Sequence, residues 1–225
     1  PTTASCLVVG RLRFAPACRT TGVSFDLDPN LVRWRAILND TLMSVLDTLL
    51  SRNSHARLVE PGPDAQALKA ILRAALRAPD HGRLRPWRFV VIAGERRELL
   101  GQCFRDSLVI RGISDEAQLT KALNAPLRAP LVLAGLLHPV AHEKISRDEQ
   151  GHAVAAALHA AQLAADALGY GCVWRTGGYA TDPNVVEALG GDVGDEVIGF
   201  LYLGTREGPS KLLPEEPLES FVRYF

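Results

Sequence analysis

An alanine-rich segment over residues 148–168 constrains the fold of this chain more than any other stretch of its sequence. The alanines recur on nearly every side of the projected helix, and alanine has the highest intrinsic helix propensity. Gly169 follows directly, and glycine commonly ends a helix. Because such a helix is slim, another backbone can approach it closely. We therefore predict a helix that packs at the centre of the fold or meets its own copy across a dimer axis.

Apolar runs predict three buried strands, over residues 89–93, 130–137 and 197–203. A shorter strand is predicted where residues 171–174 enter a glycine-rich loop. Helical periodicity precedes and separates these runs, including a helix that Asp64 caps and a more polar helical region over residues 95–124. We expect the latter to be peripheral. Repeats and low-complexity linkers are absent from the sequence, which favours a single domain over residues 43–225.

Composition excludes some classes of protein. The formal net charge is zero, which argues against nucleic acid or an anionic membrane as a partner. The sequence has no apolar run of membrane-spanning length, and its first residues lack the order of a signal peptide. The four cysteines include no CxxC pair, which favours a reducing compartment. We expect a soluble, cytoplasmic protein.

Residues 1–42 have no sustained helical or strand period. Met43 is the single methionine of the chain, and a helical pattern starts there, with an apolar stripe formed by Val45, Leu46, Leu49 and Leu50. The last residues, 215–225, are too apolar for a loose terminus and should dock on a neighbour. We expect residues 1–42 to be a poorly ordered extension outside the domain, which would span residues 43–225.

A cationic loop joins the second predicted helix to the first buried strand. Pro79 ends the helix, and the loop then presents Asp80, His81 and several arginines after Arg77. The loop either faces a negatively charged ligand or is simply solvated; Arg83 and Arg85 are assigned to solvent.

Two other segments present donors beside flexible backbone. Arg52 and Ser54 follow the first helix, where they would bind a phosphate or, for Arg52, complement the helix dipole. Trp174, Arg175 and Thr176 lead into glycines, and they offer an aromatic face and hydrogen-bond donors.

Several familiar motifs are missing from the sequence. It has no GxGxxG or GxxxxGK[ST] fingerprint, no GxSxG elbow and no carboxylate pair at the spacing of a hydrolase. His138 and His142 have the spacing of metal ligands, but Pro139 between them disfavours a regular helix. We therefore predict no metal site.

The motifs together resemble those of the flavin-dependent nitroreductases, in the compact, YdjA-like branch of that family. The similarity covers about residues 43–225. It rests on separated motifs in the same order, namely Arg-x-Ser-x-x-Arg-Leu at 52–58, Arg-Ala-Pro-Asp-His at 77–81 with Pro-Trp-Arg-Phe at 86–89, Gly-Cys-Val-Trp-Arg-Thr-Gly at 171–177, Gly-Phe-Leu-Tyr-Leu-Gly-Thr at 199–205 and Phe-Val-Arg-Tyr-Phe at 221–225.

This resemblance implies an α+β protein with the nitroreductase-like FMN-binding fold. The expected architecture is a three-layer α/β/α sandwich, in which helices flank a mixed, mainly antiparallel sheet. The family forms intertwined homodimers with two FMN sites at the interface.

The resemblance also assigns roles to residues. Arg52, Asn53 and Ser54 would hold FMN from one subunit. The family has a second arginine where this chain has Asn53, so Arg52 would need help from Arg57 or Arg206. Arg77 and His81 would reach the flavin of the other subunit, and the flavin would be lined by Trp174, Arg175 and Thr176.

The implied activity is that of an NAD(P)H-dependent FMN nitroreductase-type oxidoreductase. A hydride would pass from NAD(P)H through the flavin to a nitroaromatic, quinone or similar small-molecule acceptor, in a ping-pong cycle. No side chain is expected to be catalytic, because the flavin carries the chemistry. The alternative is an FMN-binding carrier or sensor without efficient turnover.

Overall fold

The computed structural model describes residues 45–209 and 211–225. Helices and strands follow in the order α1 (Val45–Ser51), β1 (Leu58–Val59), α2 (Ala65–Ala75), β2 (Trp87–Ala93), α3 (Arg96–Ile110), α4 (Glu116–Leu123), β3 (Leu131–Leu137), α5 (Arg147–Ala167), β4 (Gly171–Arg175), α6 (Pro183–Ala188) and β5 (Glu196–Arg206). Short 3₁₀ helices lie at His81–Arg83, Ala125–Arg128 and Leu218–Ser220. The extension predicted over residues 1–42 and the domain start at Met43 lie outside the described residues and stay predictions.

The sheet is organised around β5, which pairs with β1, β3 and β4, while β2 pairs with β3. Each of these pairs is antiparallel, so the parallel pairing of a mixed sheet is not found among the described strands. The strands predicted over residues 89–93, 130–137 and 197–203 are confirmed as β2, β3 and β5, and the short one is β4. The predicted burial holds for β3 and most of β5, whereas β2 lies at the edge of the sheet and is only partly buried. Helices together with an antiparallel sheet give the predicted α+β class.

The side chains of β3 explain why the sheet has an apolar cluster on each face. All seven residues of β3 are buried, and successive side chains of a strand point to opposite faces. One cluster includes Val132, Ala134, Leu136, Leu100 and Phe104 of α3, and Val185 of α6. The other includes Leu131, Leu133, Leu137, Ile71 and Ala75 of α2, and Ala157 and Ala161 of α5. Helices therefore cover the central strand on both sides.

Helix α5 is the central packing element that its alanines predicted. The Ser146 hydroxyl accepts a hydrogen bond from the Glu149 backbone N–H, and the Glu149 carboxylate accepts from the Ser146 N–H, which is a capping box. Gly169, with φ +87°, follows its end. A Cβ on Gly135 of β3 would lie 2.8 Å from Leu158 of α5. The glycine in the strand therefore allows the close approach that a slim helix makes possible.

Two apolar surfaces stay exposed in the single chain. On α1, Val45 is 78% and Leu50 is 71% exposed, so the predicted stripe of this helix is uncovered. At the C-terminus, Phe221 is 73% and Tyr224 is 97% exposed. The tail is therefore not docked on the described part of its own chain. No described helix combines the length and apolar character needed to cross a membrane.

Candidate functional site

The loop after α1 is held against the start of β4. The His55 backbone N–H donates to the Cys172 carbonyl oxygen at 3.0 Å. Arg52 is half-buried, Ser54 is exposed, and Asn53 is buried. Among the described residues, the Asn53 Oδ1 has no hydrogen-bond donor. The loop thus presents a cation, a hydroxyl and a buried acceptor that needs a donor.

His55 is buried beside this loop with neither ring nitrogen hydrogen-bonded to a described residue. Burial lowers its pKa below the ordinary value of 6.5, and the nearby Arg206 guanidinium lowers it further. The opposing influence of Asp166 is smaller. His55 is therefore held in its neutral form.

Acidification is expected to destabilise the parent protein more than a His55→Gln variant. Because the folded-state pKa of His55 is lowered, the unfolded chain binds more protons in the window between that pKa and 6.5. The stabilisation is complete above 6.5 and is lost as the pH falls through this window. Urea unfolding from about pH 7.5 to about pH 5.5 would measure the two slopes. His152→Gln, at an exposed histidine, should keep the parental slope; an equally steep slope for His55→Gln would contradict the interpretation.

Arg206 is engaged within its own chain. Its Nη2 donates to the Asp166 Oδ1 at 2.8 Å, and it also reaches the Asp166 and Tyr170 carbonyl oxygens at 3.2 Å. The side chain of Asp166 is 3% exposed. Arg206 therefore neutralises a buried carboxylate, and the suggestion that it also helps Arg52 at a phosphate stays a prediction. Arg57 is exposed.

Arg77 and His81 lie in the connection from α2 to β2, and both are exposed. The His81 Nδ1 is 3.3 Å from the Glu149 Oε1, at the start of α5. Arg83 and Arg85 have positive φ angles of 55° and 52°, and both side chains are exposed as predicted. The Asp80 carboxylate accepts the Arg85 N–H at 2.7 Å, which helps to fix the turn.

Helix α5 separates the two groups of candidate residues. His81 lies beside Glu149, at the N-terminal end of α5. Arg52 and Asp166 both lie close enough to the Cys172 thiol for their charges to influence its pKa, which burial raises to about 11. Arg52 therefore lies near the C-terminal end of α5. Glu149 and Asp166 are about 25 Å apart along a straight helix, at 1.5 Å per residue. A single chain does not bring Arg52 and His81 together.

Trp174 and Arg175 lie on opposite faces of β4. Trp174 packs with the cluster that includes α2 and α5, and its indole occupies the space that a Cβ on Gly199 would need. The Arg175 guanidinium lies 5.6 Å from the ring centroid of Tyr202, on the other face. Arg175 Nε is buried without a hydrogen-bond partner among the described residues. Thr176 is exposed at the start of the glycine-rich loop.

Arg175 and Thr176 line a cavity of about 320 Å³. Its other lining residues come from α3, α4, the 3₁₀ helix after α4, the loop before α6, and β5; they are Phe104, Leu108, Gln118, Lys121, Ala125, Arg128, Tyr179, Phe200 and Tyr202. The expectation that residues 95–124 are peripheral is therefore wrong. No motif in the sequence linked Phe104 to a cavity.

The prediction that no regular helix spans His138 and His142 is confirmed. His142 Nδ1 accepts the backbone N–H groups of Lys144 and Ile145, each at 3.1 Å. His138 Nδ1 instead lies 2.9 Å from the Asp195 Oδ1. With Asp192, these two residues could offer three ligand atoms to a metal ion. Asp195 already accepts the Asp192 backbone N–H at 3.0 Å, so both oxygens of the Asp195 carboxylate have partners within the cluster.

Comparison with known proteins identifies relatives of the whole described domain. The family model described as "Nitroreductase family" matches residues 50–205. The putative NAD(P)H nitroreductase YdjA of Escherichia coli K12 is 40% identical over 184 residues, which cover 81% of this chain and 100% of YdjA. A nitroreductase-like family protein from Bacillus cereus has a TM-score of 0.71 at 24% identity, covering 82% of this chain and 97% of its own. A Bacteroides fragilis nitroreductase with bound FMN has a TM-score of 0.61 at 23% identity, covering 81% of this chain and 98% of its own.

Proposed function

Because this chain belongs to the nitroreductase family, we propose that it is an FMN-dependent oxidoreductase that uses NAD(P)H. When bound, FMN would supply two-electron redox chemistry in a ping-pong cycle, with NAD(P)H as the hydride donor and a nitroaromatic, quinone or similar small molecule as the acceptor. The protein's own groups bind and orient the reactants, and none needs to act as a nucleophile.

A pair of buried atoms without partners carries this proposal. Asn53 Oδ1 and Arg175 Nε are both buried and lack hydrogen-bond partners among the described residues. They lie in the two segments that the resemblance assigns to FMN. An unsatisfied buried polar group is costly, so each is expected to meet a ligand or another chain. Asn53 and Arg175 would help to hold FMN, because its hydroxyl groups could donate to the Asn53 oxygen and its acceptor atoms could accept from Arg175.

The residues around Asn53 also suit the phosphate of FMN. Arg52 makes no ion pair with a described residue, and a guanidinium binds phosphate oxygens with charge-assisted hydrogen bonds. Ser54 adds an exposed hydroxyl. Arg52, Asn53 and Ser54 would therefore hold the phosphate and sugar chain, and Arg175 with Thr176 would face the ring system.

A second copy of the chain would complete the site. His81 is too far from Arg52 to share a ligand with it in one subunit, and Arg77 lies in the same connection as His81. In addition, α1 and the C-terminal tail leave apolar surface uncovered. We therefore propose an intertwined homodimer of three-layer sandwiches, with two flavin sites. In each site, Arg77 and His81 come from the subunit that does not supply Arg52.

An absorbance spectrum of the purified protein tests the proposal. A flavin spectrum that NAD(P)H bleaches without oxygen, and that a nitroaromatic then restores, is the expected result. Bleaching without reoxidation by nitroaromatics or quinones would favour the carrier or sensor. A colourless protein that does not take up added FMN would overturn the proposal.

A further inference from the structure

A histidine and two aspartates converge where β3 ends. His138 follows β3, and Asp192 and Asp195 belong to the loop between α6 and β5. The His138 Nδ1 lies 2.9 Å from the Asp195 Oδ1 and 3.8 Å from the Asp192 Oδ2. Local spacing predicted no metal site here, because Asp195 lies 57 residues farther along the chain than His138. The fold therefore brings together three potential ligand atoms that no short motif connects.

The distances between these atoms suit the ligands of a zinc ion. Zinc binds histidine nitrogen and carboxylate oxygen at about 2.0 to 2.2 Å, usually in a tetrahedron. Two ligand atoms of such a tetrahedron are about 3.4 Å apart. The two distances from the His138 nitrogen lie on either side of that value. Shifts of about half an ångström would therefore complete the geometry.

Asp195 is a buried carboxylate without a permanent counter-charge. Its side chain is 3% exposed, and it lies beside His138, which is a cation only when it is protonated. No arginine or lysine in the described part of the chain pairs with Asp195. Burying a carboxylate is costly unless a cation accompanies it. A divalent ion would supply that charge, and a neutral imidazole is the form of histidine that binds it.

The loop that contains the two aspartates is fixed by hydrogen bonds. The Asp195 Oδ2 accepts the Asp192 backbone N–H at 3.0 Å, so its Oδ1 is the oxygen that faces His138. The Asp195 backbone N–H donates to the Asp192 carbonyl oxygen at 3.0 Å. The Arg147 Nη1 donates to the Gly194 carbonyl oxygen at 2.9 Å, which ties the loop to the start of α5. Hydrogen bonds of this kind orient the carboxylates that bind metals.

A second cavity, of about 890 Å³, adjoins the two aspartates and is acidic. Its lining also includes Glu187 and Glu196, and its one cationic residue is Arg147. Arg147 Nη2 pairs with the Glu196 Oε2 at 3.1 Å. Three lining carboxylates therefore have no arginine or lysine partner among the described residues. The cavity attracts cations, and it has room for a water molecule beside the cluster.

We propose that the His138 Nδ1 and the carboxylates of Asp192 and Asp195 bind one divalent transition-metal ion such as Zn²⁺, with its fourth position open to this cavity. Mg²⁺ and Ca²⁺ are not expected, because they prefer six or more oxygen ligands, whereas imidazole suits zinc and its neighbours. The ion would join the end of β3 to the loop before β5. None of the three ligands belongs to the proposed FMN site, so the inference does not depend on the proposed function.

Calorimetric titration of the full-length protein, free of affinity tags, with Zn²⁺ tests the site. The parent is expected to bind Zn²⁺, and a large excess of Mg²⁺ should not displace it. Because an ion that binds the folded state stabilises it, the thermal unfolding midpoint should rise with the Zn²⁺ concentration. Absence of binding, displacement by Mg²⁺ or an unchanged midpoint at saturating Zn²⁺ would overturn the proposal.

Variants locate the binding. His138→Gln removes a ligand and is expected to weaken Zn²⁺ binding at least about tenfold, which is the smaller cost of changing even an outer-shell partner. His152→Gln, at an exposed histidine of α5, should bind Zn²⁺ as the parent does. If His138→Gln does not fold, which its thermal transition would reveal, Asp192→Asn replaces it with the same expectation, at a side chain that is 81% exposed. Parental Zn²⁺ affinity in the folded variant would overturn the assignment.

The outcome is separable from that of the proposed function. Zn²⁺ binding is measured by heat and by thermal unfolding, and it requires neither NAD(P)H nor turnover. A protein that never takes up FMN but binds Zn²⁺ through His138 would refute the oxidoreductase and support the metal site. A yellow protein that NAD(P)H bleaches, but that binds no Zn²⁺, would do the reverse.

Discussion

Replacing Arg52 with alanine is expected to weaken FMN binding by at least about tenfold, because hydrogen bonds to charged groups contribute roughly 1.5 to 3 kcal/mol each. Arg52 is half-buried and has no ion pair with a described residue, so its charge is available to a phosphate. Fluorescence titration of the flavin-free protein with FMN would give the dissociation constants. Arg73→Ala removes the same charge from an exposed position on α2 and should bind FMN like the parent. An unchanged dissociation constant for Arg52→Ala would contradict the assignment.

Mixing two variants tests whether the site is shared between subunits. Arg52→Ala and His81→Ala are each expected to impair both sites of their own homodimer. In a mixed dimer, one site would contain both changes and the other would contain neither. Flavin binding should therefore recover in about half of the sites of the mixed dimers. No recovery in dimers confirmed to be mixed would show that Arg52 and His81 act within one chain.

Replacing Arg206 with methionine is expected to lower the free energy of unfolding by about 3 kcal/mol, at the low end of the range for breaking a buried pair. The value is at the low end because the Arg206 side chain is 28% exposed, whereas that of Asp166 is 3% exposed. The variant leaves the Asp166 carboxylate buried without its cation. It also removes the hydrogen bonds that Arg206 donates to the carbonyl oxygens of Asp166 and Tyr170. Urea unfolding would measure the change.

A double variant isolates the cause. Arg206→Met with Asp166→Asn removes the buried charge and should recover part of the lost stability, since contacting residues are not additive. Arg57→Met, at an exposed arginine, should stay within about 0.5 kcal/mol of the parent. Parental stability of Arg206→Met together with loss of FMN would instead indicate that Arg206 acts mainly at the phosphate.

Local sequence signals predicted the elements of this fold well. The alanine spacing of α5, the Asp64 cap and the apolar runs of β2, β3 and β5 depend on residues close together in the chain. Asp64 accepts the Ala67 N–H at 2.8 Å, as a capping residue should. Such signals act within a few residues, so tertiary packing seldom overrides them in long, strongly periodic segments.

The cavity could not be predicted in the same way. Lys121, Arg128 and Arg175 lie on separate elements. They converge because α4 packs closely against α3, which contacts β5 through Phe104. Gly101 permits that packing, since a Cβ there would meet the Leu123 carbonyl oxygen. Periodicity also predicted an apolar stripe on α1, but a stripe does not specify whether its own chain or a second copy covers it. Likewise, no local pattern around Arg206 indicated that Asp166 was its partner.

The position of β5 along the chain has a consequence for synthesis of the protein. Among the described strands, β1 and β4 pair only with β5. Leu58 of β1 pairs with Arg206, which lies almost at the far end of the domain. Contacts so distant in sequence slow folding. A ribosome must therefore translate nearly the whole domain before β1 and β4 can pair with β5. Until then, β2 and β3 expose apolar faces that favour aggregation. A stop codon even a few residues before Glu196 would leave three strands without the one that joins them.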